Sequence, residues 1–208
     1  MSKIDEIAAA VEAGKAKVVP GLVQEALDEG IAPMDILNKG MIDAMGVVGE
    51  KFKNNEIFVP EMLVAARAMK KGVEVVKPHL GSGDSASKGK MIMGTVAGDL
   101  HDIGKNLVIM MIESAGFEVV DLGVDVPIDK FLEAASDPDV NIVGASALLT
   151  TTMPALKDTV EALNKLPNRS QFKIMVGGAP VTQEFADSIG ADCYTEDAAA
   201  AAEAAKTL

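Results

Sequence analysis

The chain has 208 residues, 49% of them hydrophobic, and its 31 acidic against 19 basic side chains give a formal net charge of −12. So acidic a surface opposes binding to nucleic acid and to anionic membrane, while the length suits one large domain or two small ones, each with its own core. The single cysteine, Cys193, excludes an internal disulfide and a cysteine-based zinc site, and no uninterrupted apolar stretch follows Met1-Ser2-Lys3-Ile4-Asp5-Glu6 to make a signal peptide, so a cytoplasmic location is expected.

Residues 1–80 read as wholly helical. Apolar residues recur at three- and four-residue spacing through Ile4, Ile7, Ala8 and Val11, then Val19, Leu22, Val23, Ala26 and Leu27. Gly30 can stop the second helix and Pro33 can start a third, which carries Ile36, Leu37, Met41, Met45 and Val48. Pro60 opens a fourth, with Leu63, Val64, Ala66, Met69 and Val73. Helices joined this briefly predict a four-helix bundle. With 12 methionines and only 3% aromatic residues, the core should be aliphatic, its gaps filled by thioethers. Between the third and fourth helices, Phe52, Ile57, Phe58 and Val59 surround the polar turn Lys53-Asn54-Asn55-Glu56. This is either a hydrophobic staple fixing the start of the fourth helix or an apolar lid over a ligand.

Gly81-Ser82-Gly83-Asp84-Ser85-Ala86-Ser87-Lys88-Gly89 has the composition of a linker, with a reach of roughly 15–18 Å for a flexible chain of that length. His79, just before it, has no carboxylate or cysteine cluster nearby in sequence and is read as structural. From residue 90 to 208 strand and helix alternate. Strands are predicted near 90–97, 117–122, 140–147, 172–176 and 191–195, and helices near 103–115, 128–136, 153–166, 182–189 and 197–207. Regular βα alternation gives a parallel sheet covered on both faces. Five strands suggest the flavodoxin-like order, in which the first and third strands are adjacent and ligands bind in the crevice beyond their carboxyl ends.

The loop after the first strand, Gly94-Thr95-Val96-Ala97-Gly98-Asp99-Leu100-His101-Asp102-Ile103-Gly104-Lys105-Asn106, therefore falls where chemistry is expected. A phosphate loop is a poor fit. Five residues separate Gly98 from Gly104, Asn106 stands where a hydroxyl is needed, and Asp99 and Asp102 would repel phosphate. A hydrolytic metal centre needs several convergent ligands, and the chain has only His79 and His101. Taken alone, the loop is explained by His101 as a satisfied polar residue at a helix start.

Two later segments change that reading. Asp99-x-His101-x-x-Gly104 is followed by Ser146-x-Leu148 at the end of the third strand and by Gly177-Gly178 at the end of the fourth. This series resembles the cobalamin-binding motif D-x-H-x-x-G … S-x-L … G-G, with its three pieces in order and at comparable spacing. The helical segment before it is similar to the cap that precedes the motif in methionine synthase and in corrinoid proteins of methyltransferase systems. The resemblance spans nearly the whole chain. It implies a helical cap (1–80), a linker (81–89) and a flavodoxin-like, or Rossmann-like, cobalamin-binding domain (90–208).

The resemblance also assigns roles. His101 would replace the cofactor's own nucleotide base as the lower ligand of cobalt. Asp99 would take the other imidazole N–H, and Thr152 would extend the pair into a triad; the relative is similar there, with Ser as its hydroxyl residue. Asp102, Ile103, Gly104, Ser146, Leu148, Thr150, Gly177 and Gly178 would contact the cofactor, the glycines letting backbone approach the displaced nucleotide tail, with Gly144 adding to that slot. Phe52 and Val59 match two apolar residues, seven positions apart, that cover the upper corrin face, although the second is Leu in the relative. Read without the resemblance, Gly177-Gly178 is an ordinary turn and Thr150, Thr151 and Thr152 cap the helix that starts near Pro154; one of the three is expected to do so in any case.

The activity implied is methyl transfer through cobalt. The protein would accept a methyl group on Co(I) from a substrate-specific methyltransferase. As the methylcobalamin form, it would pass that group to a second methyltransferase serving a thiol or tetrahydrofolate, with a reductive activase as a further partner. It would be a non-autonomous subunit rather than a complete enzyme, because no catalytic barrel is present. The alternative is a cobalamin-dependent sensor or regulator. Such proteins often carry a DNA-binding segment and a Trp-rich cap, and this chain has no Trp and no basic recognition helix. The helical cap also argues against a mutase small subunit.

Overall fold

The computed structural model describes residues 2–80 and 87–208, so positions 81–86 of the expected linker lie outside the described residues. It divides into two compact units, Met1–Lys88 with Ser114–Gly116, and Gly89–Glu113 with Phe117–Leu208.

The first unit is helical. α1 (Lys3–Glu12) begins with a capping box, in which the Asp5 N–H donates to the Ser2 hydroxyl and the Ser2 N–H to the Asp5 carboxylate. It buries Ile7 and Val11, and α2 (Val19–Asp28) buries Val19, Val23 and Ala26, which are the stripes the spacing predicts. The third predicted helix runs from α3 (Pro33–Asp35) through a π-helical stretch, Ile36–Ile42, into α4 (Asp43–Lys53). The wider π turn keeps Ile36 and Met41, and Leu37 and Ile42, on the buried side. A strict α repeat would rotate residues five apart away from each other. α5 (Val59–Val76) crosses this bundle at Gly72, where a Cβ would lie 2.5 Å from Met41 Sδ and 2.8 Å from a Val19 methyl.

The second unit is a parallel sheet in the order β2-β1-β3-β4-β5. Its strands are β1 (Lys90–Val96), β2 (Glu118–Val126), β3 (Val140–Ser146), β4 (Lys173–Gly177) and β5 (Cys193–Tyr194). Between and after them run α6 (Ile103–Ser114), α7 (Ile128–Ala135), α8 (Met153–Leu163), α9 (Gln183–Ile189) and α10 (Ala198–Ala205). This is the flavodoxin-like order the alternation predicts, and it makes β1 and β3 neighbours. Every residue of β1 after Lys90 is buried, as expected of a strand covered on both faces. The core is aliphatic apart from Phe131 and Phe172, 0% and 2% exposed. Phe131 fits because β1 has a glycine opposite it: a Cβ on Gly94 would come within 2.8 Å of the Phe131 ring. β2 is longer than the predicted 117–122. Among the described residues, no helix is long and apolar enough to cross a membrane.

Replacing Phe131 by Ala removes a fully buried ring from the centre of this core. The expected cost is about 3–5 kcal/mol of unfolding free energy, read as a lowered urea midpoint of the sheet-containing unit.

Candidate functional site

The loops after β1 and β3 lie at the carboxyl ends of two adjacent parallel strands, and Asp99 ties them together. Its side chain is fully buried and accepts four hydrogen bonds. Oδ1 accepts from the His101 amide at 3.0 Å and pairs with the His101 ring Nδ1 at 2.7 Å. Oδ2 accepts from the Leu148 amide and from the Thr152 hydroxyl, both at 2.7 Å. Burial pushes the Asp99 carboxyl upward. The donors from Leu148, Thr152 and His101 outweigh that push and hold it well below the usual carboxylate range. The group is therefore an anion that can only accept hydrogen bonds, which fixes the His101 proton on Nδ1 and leaves the Nε2 lone pair for a metal. The His101 side chain is 49% exposed.

A second set of contacts supports the same loop. Thr95, 1% exposed at the end of β1, donates its hydroxyl to the His101 carbonyl at 2.9 Å, and the Ser146 hydroxyl lies 3.1 Å away. The two hydroxyl residues are register partners across β1 and β3. The third motif segment also reaches this place. The Ala147 amide donates to the Gly177 carbonyl at 3.2 Å. Gly178 has φ +130° and passes so close to Ala147 that an added Cβ would lie 1.9 Å from its carbonyl oxygen. Gly178 is thus required by the fold, beyond the ordinary turn its sequence alone suggests.

Asp99, His101, Ser146, Leu148, Thr152, Gly177 and Gly178 therefore form one connected site. Asp102 and Ile103 stand at the start of α6, Ile103 being 78% exposed, and a Cβ on Gly104 would meet nothing within 4 Å. Thr150 is exposed in the short 3-10 turn Thr150–Thr152. Thr152 occupies the N-cap position of α8 without a side-chain cap bond, so the capping expected of one of the three threonines is not made there. Its hydroxyl serves Asp99 instead. The Gly144 expectation also changes, because the space beside Gly144 is occupied by the thioether ends of Met91 and Met93. Phe52 and Val59, both half-buried, lie in the first unit at the end of α4 and the start of α5, where the Glu61 carboxylate accepts the Phe58 amide at 3.1 Å. His79 is exposed in the 3-10 turn Lys77–His79.

Sequence reasoning assigned no role to Thr95, Leu100 or Leu149. Thr95 was detectable as a lone hydroxyl in an apolar strand. Leu100 and Leu149 are 71% and 41% exposed and, with Ile103 and Leu148, give the two loops an apolar surface. That surface, a half-exposed imidazole with its proton placed on Nδ1, and the open space at Gly104 fit a large ring ligand with a central metal. Among the described residues no cluster of three or more His, Cys, Asp or Glu side chains offers a metal site built from protein ligands alone.

Comparison with known proteins agrees with this geometry. The family described as B12 binding domain matches residues 89–205, and a second family of the same description matches residues 3–77. Dimethylamine corrinoid protein 1 of Methanosarcina acetivorans is 45% identical over 206 residues, 99% of this chain and 96% of that protein. The methanol:cobalamin methyltransferase complex MtaBC from Methanosarcina barkeri contains a chain that superimposes with TM-score 0.88 at 33% identity, covering 99% of this chain and 78% of that one. A cobalamin-binding protein from Desulfitobacterium hafniense superimposes with TM-score 0.81 at 29% identity, covering 100% and 98%. The chain binds a corrinoid cofactor, and it belongs to the family of B12-binding corrinoid proteins of methyltransferase systems.

Proposed function

We propose that this chain is a methyl carrier. It receives a methyl group from a substrate-specific methyltransferase and delivers it to a second methyltransferase whose acceptor is a thiol or tetrahydrofolate. The names of its relatives support a small methylated donor of the methylamine or methanol class. The observation that carries the reading is the hydrogen-bonded chain from Thr152 through Asp99 to His101, closed at 2.7 Å on each side.

The corrinoid, when bound, supplies a cobalt that takes up a methyl group from one partner and gives it up to another. The protein's residues do the rest. His101 would offer Nε2 to the metal, and Asp99 would set the tautomer and raise the basicity of that nitrogen. Were His101 free of the metal, its Nε2 could hold a proton, and the anionic Asp99 would stabilise the imidazolium. Thr152 and the Leu148 amide keep Asp99 ionised in both situations.

Asp102, Ile103, Leu148 and Thr150 would hold the cofactor beside His101. Gly104, Ser146, Gly177 and Gly178 would make room for the cofactor's nucleotide tail, and Phe52 and Val59 would be apolar residues that keep water from the corrin ring. A reductive activase returns the protein to its active form. The single thiol at Cys193 supports work in the reducing cytoplasm.

Asp99→Asn tests the ligand arrangement. An amide in place of the carboxylate can donate to Nδ1 and drive the proton to Nε2, so hydroxocobalamin affinity should fall about 10–100-fold, measured by absorbance titration. Equal affinity would refute the role given to Asp99. The carrier function is tested with isotope-labelled dimethylamine or methanol, a matching methyltransferase and the reduced holoprotein. Label retained on this protein, then released to a thiol or tetrahydrofolate by a second methyltransferase, is the expected result. No uptake from any such donor would favour the sensor instead.

A further inference from the structure

β2 keeps step with β1 only by taking in two extra residues. Met93 pairs with Asp121, Gly94 with Gly123 and Val96 with Val126, so the register slips once on each side of Gly94. Residues within these bulges have positive φ, 93° at Gly123 and 50° at Asp125. A glycine adopts that conformation freely, but an aspartate there needs support from its surroundings. Bulges commonly re-aim side chains beside functional sites, and here they direct two aspartates at the His101 loop.

Asp125 grips the front of the loop in both directions. Its own amide donates to the Asp99 carbonyl at 2.9 Å, and its Oδ1 accepts the Gly98 amide at 2.7 Å. Asp121 holds the far end through Lys105, whose side chain is 2% exposed and whose ammonium donates to both Asp121 oxygens at 2.7 Å. Between these tethers, Leu100 and Ile103 are 71% and 78% exposed, so apolar burial does not fix the segment. Polar tethers must do so. Asp99 cannot direct His101 unless the backbone that carries both is itself held still.

We infer that Asp125 is a positioning residue for His101, acting through the Gly98–Asp99 backbone, with the Asp121–Lys105 pair anchoring the other end of the loop. The inference rests on the reading that His101 ligates the corrinoid, and its test has an arm that does not depend on that reading. Asp125→Gly keeps the backbone conformation and removes the carboxylate. Asp125→Asn keeps an acceptor oxygen on a residue that tolerates positive φ.

In the apo-protein, exchange of the Gly98 amide should quicken about tenfold in Asp125→Gly, the effect of losing one such bond. The His101 ring 15N shifts should move as well, and both signals should return towards wild type in Asp125→Asn. In the same variants, hydroxocobalamin affinity should fall about tenfold and then recover. His101→Ala is titrated alongside. If His101→Ala weakens binding while Asp125→Gly leaves affinity, amide exchange and ring shifts at wild-type values, the positioning role is overturned. It is overturned equally if only the affinity of Asp125→Gly stays unchanged in that comparison. If His101→Ala leaves affinity unchanged but the apo signals respond to Asp125→Gly, the clamp stands and the ligand reading fails.

Discussion

A carboxylate buried without water stays charged only when donors surround it. Asp99 has four, drawn from the His101 amide and ring, the Leu148 amide and the Thr152 hydroxyl. The rest of the site depends on this one group. Its charge places the His101 proton on Nδ1, and its two oxygens join the loop after β1 to the loop after β3. Removing it would leave several buried donors unpaired at once, each carrying a desolvation penalty.

The sheet is what brings those donors together. Strand order reverses between β1 and β3, so the loops that follow them diverge over a shared crevice. Thr95 and Ser146 sit opposite each other in the register, their hydroxyls 3.1 Å apart. Gly178 lets the end of β4 pass against Ala147 with no room for a side chain. Residues far apart in sequence meet because three consecutive neighbours in the sheet end at the same level. Within the helical unit, Phe52 and Val59 flank a turn whose Asn55 has φ 57°.

Much of this was legible beforehand. Apolar periodicity placed the helices of the first unit and the strands and helices of the second within a few residues, and strand count with alternation predicted the sheet order. The His101 loop, Ser146 and Gly177-Gly178 were recognisable only together, because their order and spacing resemble the cobalamin-binding motif, while each segment alone has an ordinary structural reading. What escaped was set by neighbours. The π stretch Ile36–Ile42 follows the packing of α1 and α5 around it. β2 was read too short because Gly123 and Asp125 break a strand pattern, and those residues are where its bulges fall. Gly144 was assigned to a ligand because a glycine in a strand signals close approach, yet the approaching atoms belong to Met91 and Met93. One of Thr150, Thr151 and Thr152 was expected to cap the helix near Pro154, but Thr152, at that N-cap position, turns its hydroxyl to Asp99 and the Leu149 backbone.

The central claim is that the imidazole of His101, rather than the cofactor's own benzimidazole, holds the cobalt from below. Electron paramagnetic resonance of the Co(II) holoprotein tests this when the protein is labelled with 15N only in histidine. Coupling to a 14N ligand splits each cobalt line into three and coupling to 15N splits it into two. The account predicts that histidine labelling converts triplets to doublets. Triplets that persist in the labelled protein would show another nitrogen on the metal and contradict it.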